Sequence, residues 1–136
     1  MDKREILKLM IAKGFSKLET ARIDYKNKKY VDATSRAYYA VYHLIAAVLE
    51  SKDLRYSSHN QTVGAFNKEF IKTGVFPKNY TSMIQELFDA RQEGDYSIVS
   101  DIDKDDAKEY IKNAELIFKT LSVYLKNNFI ESDLFN

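Results

Sequence analysis

A single proline, Pro77, and four glycines punctuate 136 residues. Long stretches therefore lack the residues that break a helix or turn a chain. Within the first such stretch Ile6, Leu7, Met10, Ile11, Phe15, Leu18 and Ala21 recur every three or four residues, the spacing of one face of an α-helix. An architecture of strands and tight turns needs more punctuation than this. Hydrophobic residues make up 45% and charged ones 30%, enough apolar material for a packed core and not the composition of a disordered chain.

The first helix is expected from about Lys3 to Lys26 and the second from about Tyr30 to Ser51. Ser58 and Gln61 form an S-x-x-Q capping box that starts a third helix, which Gly74 should end. Pro77 opens a fourth that reaches about Gln92, after which Gly94-Asp95-Tyr96-Ser97 breaks the pattern. Asp103, followed by Asp105 and Asp106, caps a fifth helix running to about Asn127. Its stripe is Ala107, Tyr110, Ile111, Ala114, Ile117, Phe118, Leu121 and Leu125. Short connections between long helices predict an all-α fold, an up-and-down antiparallel bundle of about five helices, in one domain over residues 1–136.

Several function classes fall away. Without cysteine there is no disulfide, thiolate metal site or thiol nucleophile, which suits a reducing cytoplasm. The longest apolar run, Ala37 to Leu49 with His43 inside it, is too short for a bilayer span. No signal-like segment precedes the first helix. A soluble, cytoplasmic protein with no membrane association is the expectation. With a net charge of +1, nucleic acid cannot be held by the global field and would need a local site. The densest basic turn, Lys26-Asn27-Lys28-Lys29, reads as a solvated connection.

The chemistry concentrates in Ser35-Arg36-Ala37-Tyr38-Tyr39-Ala40-Val41-Tyr42-His43. Seven residues are almost two helical turns, so Arg36 and His43 share a face about 10 Å apart along the axis. Val41, Ile45, Val48 and Leu49, with Tyr38 and Tyr42 at the edges, form the side expected to pack inward. Asp32, Arg36, Tyr39, Ala40, His43, Ala47 and Glu50 form the other, where the small alanines would let another helix approach. A two-fold homodimer across that face would bring two Arg36/His43 pairs into one cleft. A structural reading stands beside it: Arg36 bridges Asp32 or Glu50, and His43 is a half-buried hydrogen-bonding group.

Arg91 follows Ile84, Leu87 and Phe88 at helical spacing and so belongs to an inward face, where it needs a carboxylate such as Asp95 or an anionic ligand. His59, in the first turn of the third helix, suits either an anion or a surface cap. Tyr39 and Tyr96 could place a hydroxyl near the cleft, with packing the commoner role of a tyrosine. No metal cluster is evident in the sequence.

Together these residues resemble the HEPN family (higher eukaryotes and prokaryotes nucleotide-binding), small all-helical domains. The resemblance runs from about residue 15 to 121. It includes the family's R-x(4–6)-H motif as Arg36-x6-His43, then Ser58-His59, the segment Phe70 to Gly74 with Pro77 after it, and Arg91-x3-Asp95-Tyr96. It implies a homodimeric bundle with the motifs facing each other. It also implies metal-independent, cofactor-free endoribonuclease activity, commonly as a toxin partnered by a minimal nucleotidyltransferase antitoxin. Arg36 and His43 match the catalytic pair, with Tyr39, Arg91, Asp95, Tyr96 and His59 in support. The alternative it leaves open is a nucleotide- or RNA-binding helical module that partners the nucleotidyltransferase without cutting. Two positions depart from the family pattern. Ala37 follows the motif arginine where active members often carry a polar residue, and Ile45 stands where nucleotide-modified members carry tyrosine.

Overall fold

The computed structural model describes residues 1–98 and 101–131, apart from the side chain of Tyr96. Five α-helices carry the fold: α1 (Lys3–Lys26), α2 (Tyr30–Glu50), α3 (His59–Phe66), α4 (Tyr80–Tyr96) and α5 (Lys104–Leu125). Single π-helical turns, Asn67–Ile71 and Lys126–Ile130, extend α3 and α5. Among the described residues there is no strand.

The helix starts follow from local chemistry. Asp2 accepts from the Glu5 amide, Ser58 from that of Gln61, and Asp103 exchanges bonds with Asp106 in a reciprocal capping box. Each satisfies amides that a first turn leaves unpaired. The reversal after the third helical stretch uses Gly74 at φ +85°, a left-handed position that suits glycine. Pro77 lies a little ahead of α4, and its carbonyl accepts from the Tyr80 amide as the helix begins.

Contacts at the two ends set the helix directions. The Lys3 ammonium donates to the Glu50 carbonyl at 2.7 Å, while Tyr25 meets Tyr30 edge-on at the opposite end, so α1 and α2 run antiparallel. Gly94 of α4 abuts Val31 near the start of α2, and Tyr80 of α4 bonds Thr120 of α5 at 2.9 Å. The four long helices therefore alternate up and down, as expected, with α3 as a short bridge.

Helix α2 is the hub. Ala37, Ala40, Leu44, Ala47 and Val48 are wholly buried, and Val41, Ile45 and Leu49 nearly so, because α1, α4 and α5 all pack on it. Removing side chains of this size from water stabilises by about 1.5–3 kcal/mol each for the larger ones. The closest approach is to α1. A Cβ on Gly14 would lie 2.5 Å from the Leu44 Cδ2 atom and 3.1 Å from the Ala40 carbonyl oxygen.

Three sequence expectations are corrected here. Ala40 and Ala47 are covered by the chain's own helices and leave nothing for a second copy to pack on. Glu50 is buried as well, so the face drawn around Arg36 reaches the surface at Asp32 and Arg36 and, partly, at the half-buried Tyr39 and His43. Gly94 does not break α4: it lies within the helix, where a Cβ would meet Val31 Cγ1 at 2.6 Å. Phe15, on the apolar stripe read for the first helix, is 44% exposed on the flank that α1 turns toward α5.

Candidate functional site

Arg36 lies near the start of α2 and is exposed; His43, two turns on, is half-buried. Both project from the one strip of the hub helix that its neighbours leave open. Of the two structural partners open to Arg36, Glu50 is taken: it receives Arg55 at 2.7 Å and has Lys3 at 3.7 Å. Asp32 is exposed and forms no ion pair with Arg36. Among the described residues Arg36 makes neither an ion pair nor a side-chain hydrogen bond. Arg22, Arg55 and Arg91 each have a carboxylate.

Neither ring nitrogen of His43 has a hydrogen-bond partner among the described residues. Burial holds its pKa below the ordinary imidazole value, and Lys13 and Lys17 on α1 push in the same direction. Each of these effects disfavours a positive charge on the ring. The result is an imidazole kept neutral near Lys13 and Lys17, with the Arg36 guanidinium two turns away along the same helix. Such a strip can bind a polyanion and accept a proton from it.

The supporting residues form a separate knot on the α4 flank of α2. The Arg91 guanidinium lies 2.9 Å from the Asp95 carboxylate, donates to the Tyr39 hydroxyl, and covers the rings of Tyr38 and Tyr39 at 5.8 and 5.1 Å. The need for a carboxylate near Arg91 is thus met by Asp95. Tyr39 is half-buried and belongs to this knot through its hydroxyl and ring. The Tyr96 side chain, also named from sequence, lies outside the described residues.

His59 behaves differently from either sequence reading. It is neither an exposed cap nor an open anion site: its ring stacks on Phe88 at 3.7 Å and Nδ1 bonds the Tyr38 hydroxyl. Burial lowers its pKa, with Arg91 adding to the effect. Desolvation raises that of Tyr38, and Tyr42 reinforces the shift. Both rings are neutral near pH 7, as a packed hydrogen-bonded pair requires.

Sequence reasoning missed Lys13, Lys17 and Phe88. The lysines had a usable signal, four residues apart on one flank of α1, but only the α1–α2 register shows that the flank faces His43. Among the described residues no three His, Asp or Glu side chains converge as metal ligands, and no helix is long and apolar enough to cross a membrane.

A profile of the HEPN domain matches residues 7–124. The chain belongs to the HEPN family. Similar curated proteins include a UPF0332 protein of Thermotoga maritima, 31% identical over 84% of this chain and 86% of its own length. Two proteins of Methanocaldococcus jannaschii also match. "Putative toxin MJ0142" is 32% identical over 96% of this chain and 89% of its own. "Putative toxin MJ0605" is 30% identical over 92% of each. The HEPN match spans α1 through nearly all of α5, so it takes in the Arg36/His43 strip and the helices that frame it.

Proposed function

We propose that this HEPN protein is a metal-independent endoribonuclease of toxin type, acting in the cytoplasm as a homodimer whose cleft combines two Arg36/His43 strips. One observation carries the reading: Arg36 is exposed without a carboxylate, on the same strip as an imidazole held neutral. A structural arginine would have found a carboxylate, as Arg22, Arg55 and Arg91 have. The names of the Methanocaldococcus relatives agree with a toxin role.

In this reading His43 takes the proton from a ribose 2′-hydroxyl as that oxygen attacks the adjacent phosphorus. The phosphorus–O5′ bond breaks, and the same His43, now carrying the proton, delivers it to the departing oxygen. The products are a 2′,3′-cyclic phosphate and a 5′-hydroxyl. Arg36 holds the phosphate and offsets the charge that builds on its oxygens, which a planar guanidinium does in bidentate fashion. Arg91 and Asp95 fix Tyr39 and thereby the edge of the cleft. A minimal nucleotidyltransferase is the partner that the family suggests.

A second reading is favoured by Ala37. It is wholly buried, so the position that often bears a polar group in active members adds nothing to the cleft, and the strip would bind nucleotide or RNA without cutting. End-labelled RNA incubated with purified protein in excess chelator separates the two. Cleavage is expected from the wild type, with losses of about 10²-fold or more in Arg36→Ala and His43→Ala at unchanged melting temperature. Intact RNA with clean wild-type protein, alongside saturable nucleotide binding that Arg36→Ala weakens, would establish the binding module instead.

A further inference from the structure

We propose that the outer groove between α1 and α5 is a docking seat for an amphipathic helix of a partner protein, apolar on its buried side and acidic along its borders. The first observation is apolar exposure in the wrong place. Phe15 and Val123 stand 44% and 45% exposed over a cleft of about 700 Å³ whose floor includes Ile11, Phe118 and Ile130. Farther along the same pair of helices, Tyr25 and Ile111 floor a second hollow of about 440 Å³. Because α1 and α5 are antiparallel, the two hollows are halves of one seam. From Lys8 to Lys26 the seam covers about 27 Å at 1.5 Å per residue, the length of five helical turns.

The second observation is charge. Seven cations and two carboxylates line the seam in a chain whose net charge is only +1. One of the seven, Arg22, is ion-paired, to Glu115 at 3.1 Å. Lys8, Lys26, Lys108, Lys112, Lys119 and Lys126 have no carboxylate partner among the described residues. An apolar trough with unpaired cations on both banks complements a helix with apolar anchors at i, i+3, i+4 and i+7 and Asp or Glu beside them.

Other occupants fit less well. A second copy related by a two-fold axis would set lysine banks against lysine banks. RNA would gain from the cations and from the rings of Phe15, Phe118 and Tyr25, but those rings are spread along a seam otherwise lined by Ile11, Ala12, Ile111, Val123 and Ile130, a continuous aliphatic surface that suits apolar side chains better than successive bases. The seam also lies on the flank of α1 away from Lys13 and Lys17, so it is independent of the Arg36/His43 strip.

A designed helical peptide of about 25 residues, with leucines on one face and glutamates on its borders, serves as the probe for the whole chain. Fluorescence anisotropy is expected to show saturable binding. It should weaken about tenfold or more with Val123→Asp, with Lys119→Glu/Lys126→Glu, and with a peptide whose glutamates are lysines. The melting temperature should hold in these surface variants. RNA cleavage by the strip should be unaffected, which separates failure here from failure of the ribonuclease reading. The proposal is overturned by no saturable binding, by binding indifferent to Val123→Asp, or by an RNA oligonucleotide that displaces the peptide in a Lys119-dependent way. A wild-type dimer in sedimentation that Val123→Asp dissociates would assign the seam to a second copy and equally overturn it.

Discussion

His43 shows how much of a residue's chemistry is decided by what packs beside it. The sequence placed it with Arg36 on one helical face, since seven residues along a helix fix that relation without tertiary information. It could not place Lys13 and Lys17, because a lysine's target depends on helix register. Burial and those two ammonium groups hold the imidazole below its usual pKa. An NMR titration should therefore find His43 deprotonating below about 6.5, and Lys13→Glu/Lys17→Glu should move the midpoint upward. A wild-type midpoint above that value would contradict the electrostatic account. The same sign sets a stability trend. The folded state favours neutral His43 and His59 more than the unfolded chain does, so their contribution is complete above pH 6.5 and declines as pH falls through their folded values. Urea midpoints should drop between pH 7.5 and 5, and His43→Gln should flatten part of that drop.

At the level of the element, signals carried by neighbours in sequence were legible and signals carried by packing were not. The caps at Asp2, Ser58 and Asp103 each join a side chain to an amide three residues on, which spacing alone reveals. Gly94 belongs to the other kind: it resembles a helix breaker in sequence, yet it is a contact surface for Val31. The glycines make this distinction measurable. Gly14→Ala drives a Cβ into Leu44 and against the Ala40 carbonyl, and should destabilise by about 1–3 kcal/mol through overpacking. Gly64 lies in α3 with open space around it, so Gly64→Ala should stabilise by about 0.5–1 kcal/mol. Chemical denaturation of the pair checks both signs, and equal effects would refute the packing assignment.

Across the whole molecule, the up-and-down order was legible where few residues separate long helices, between α1 and α2 and between α4 and α5; the long α2–α4 connection needed the structure to show its direction. The identity of the hub was only half legible. A helical wheel assigns an inside and an outside, whereas α2 is covered from several directions at once, and its alanines look like an open face until α1 is laid on them. A dimer cleft built on the remaining strip leads to a complementation experiment. Arg36→Ala and His43→Ala are each expected to be inactive. Mixing them under conditions that exchange subunits should restore measurable cleavage, because a mixed cleft retains one arginine and one histidine. Two inactive proteins that stay inactive when verified heterodimers form would remove the composite cleft.

Enclosure of α2 has a consequence for how the protein is switched off. Amide hydrogens of a helix packed on several flanks exchange with solvent only when the entire bundle opens. The segment bearing Arg36 and His43 therefore has no local melting route of its own, and heat, denaturant or a protease meets the strip and the bundle as one cooperative unit. On the ribonuclease reading, an agent that silences the protein and leaves it folded is expected to cover or modify the strip, since unravelling α2 means dismantling the core it shares with α1, α4 and α5.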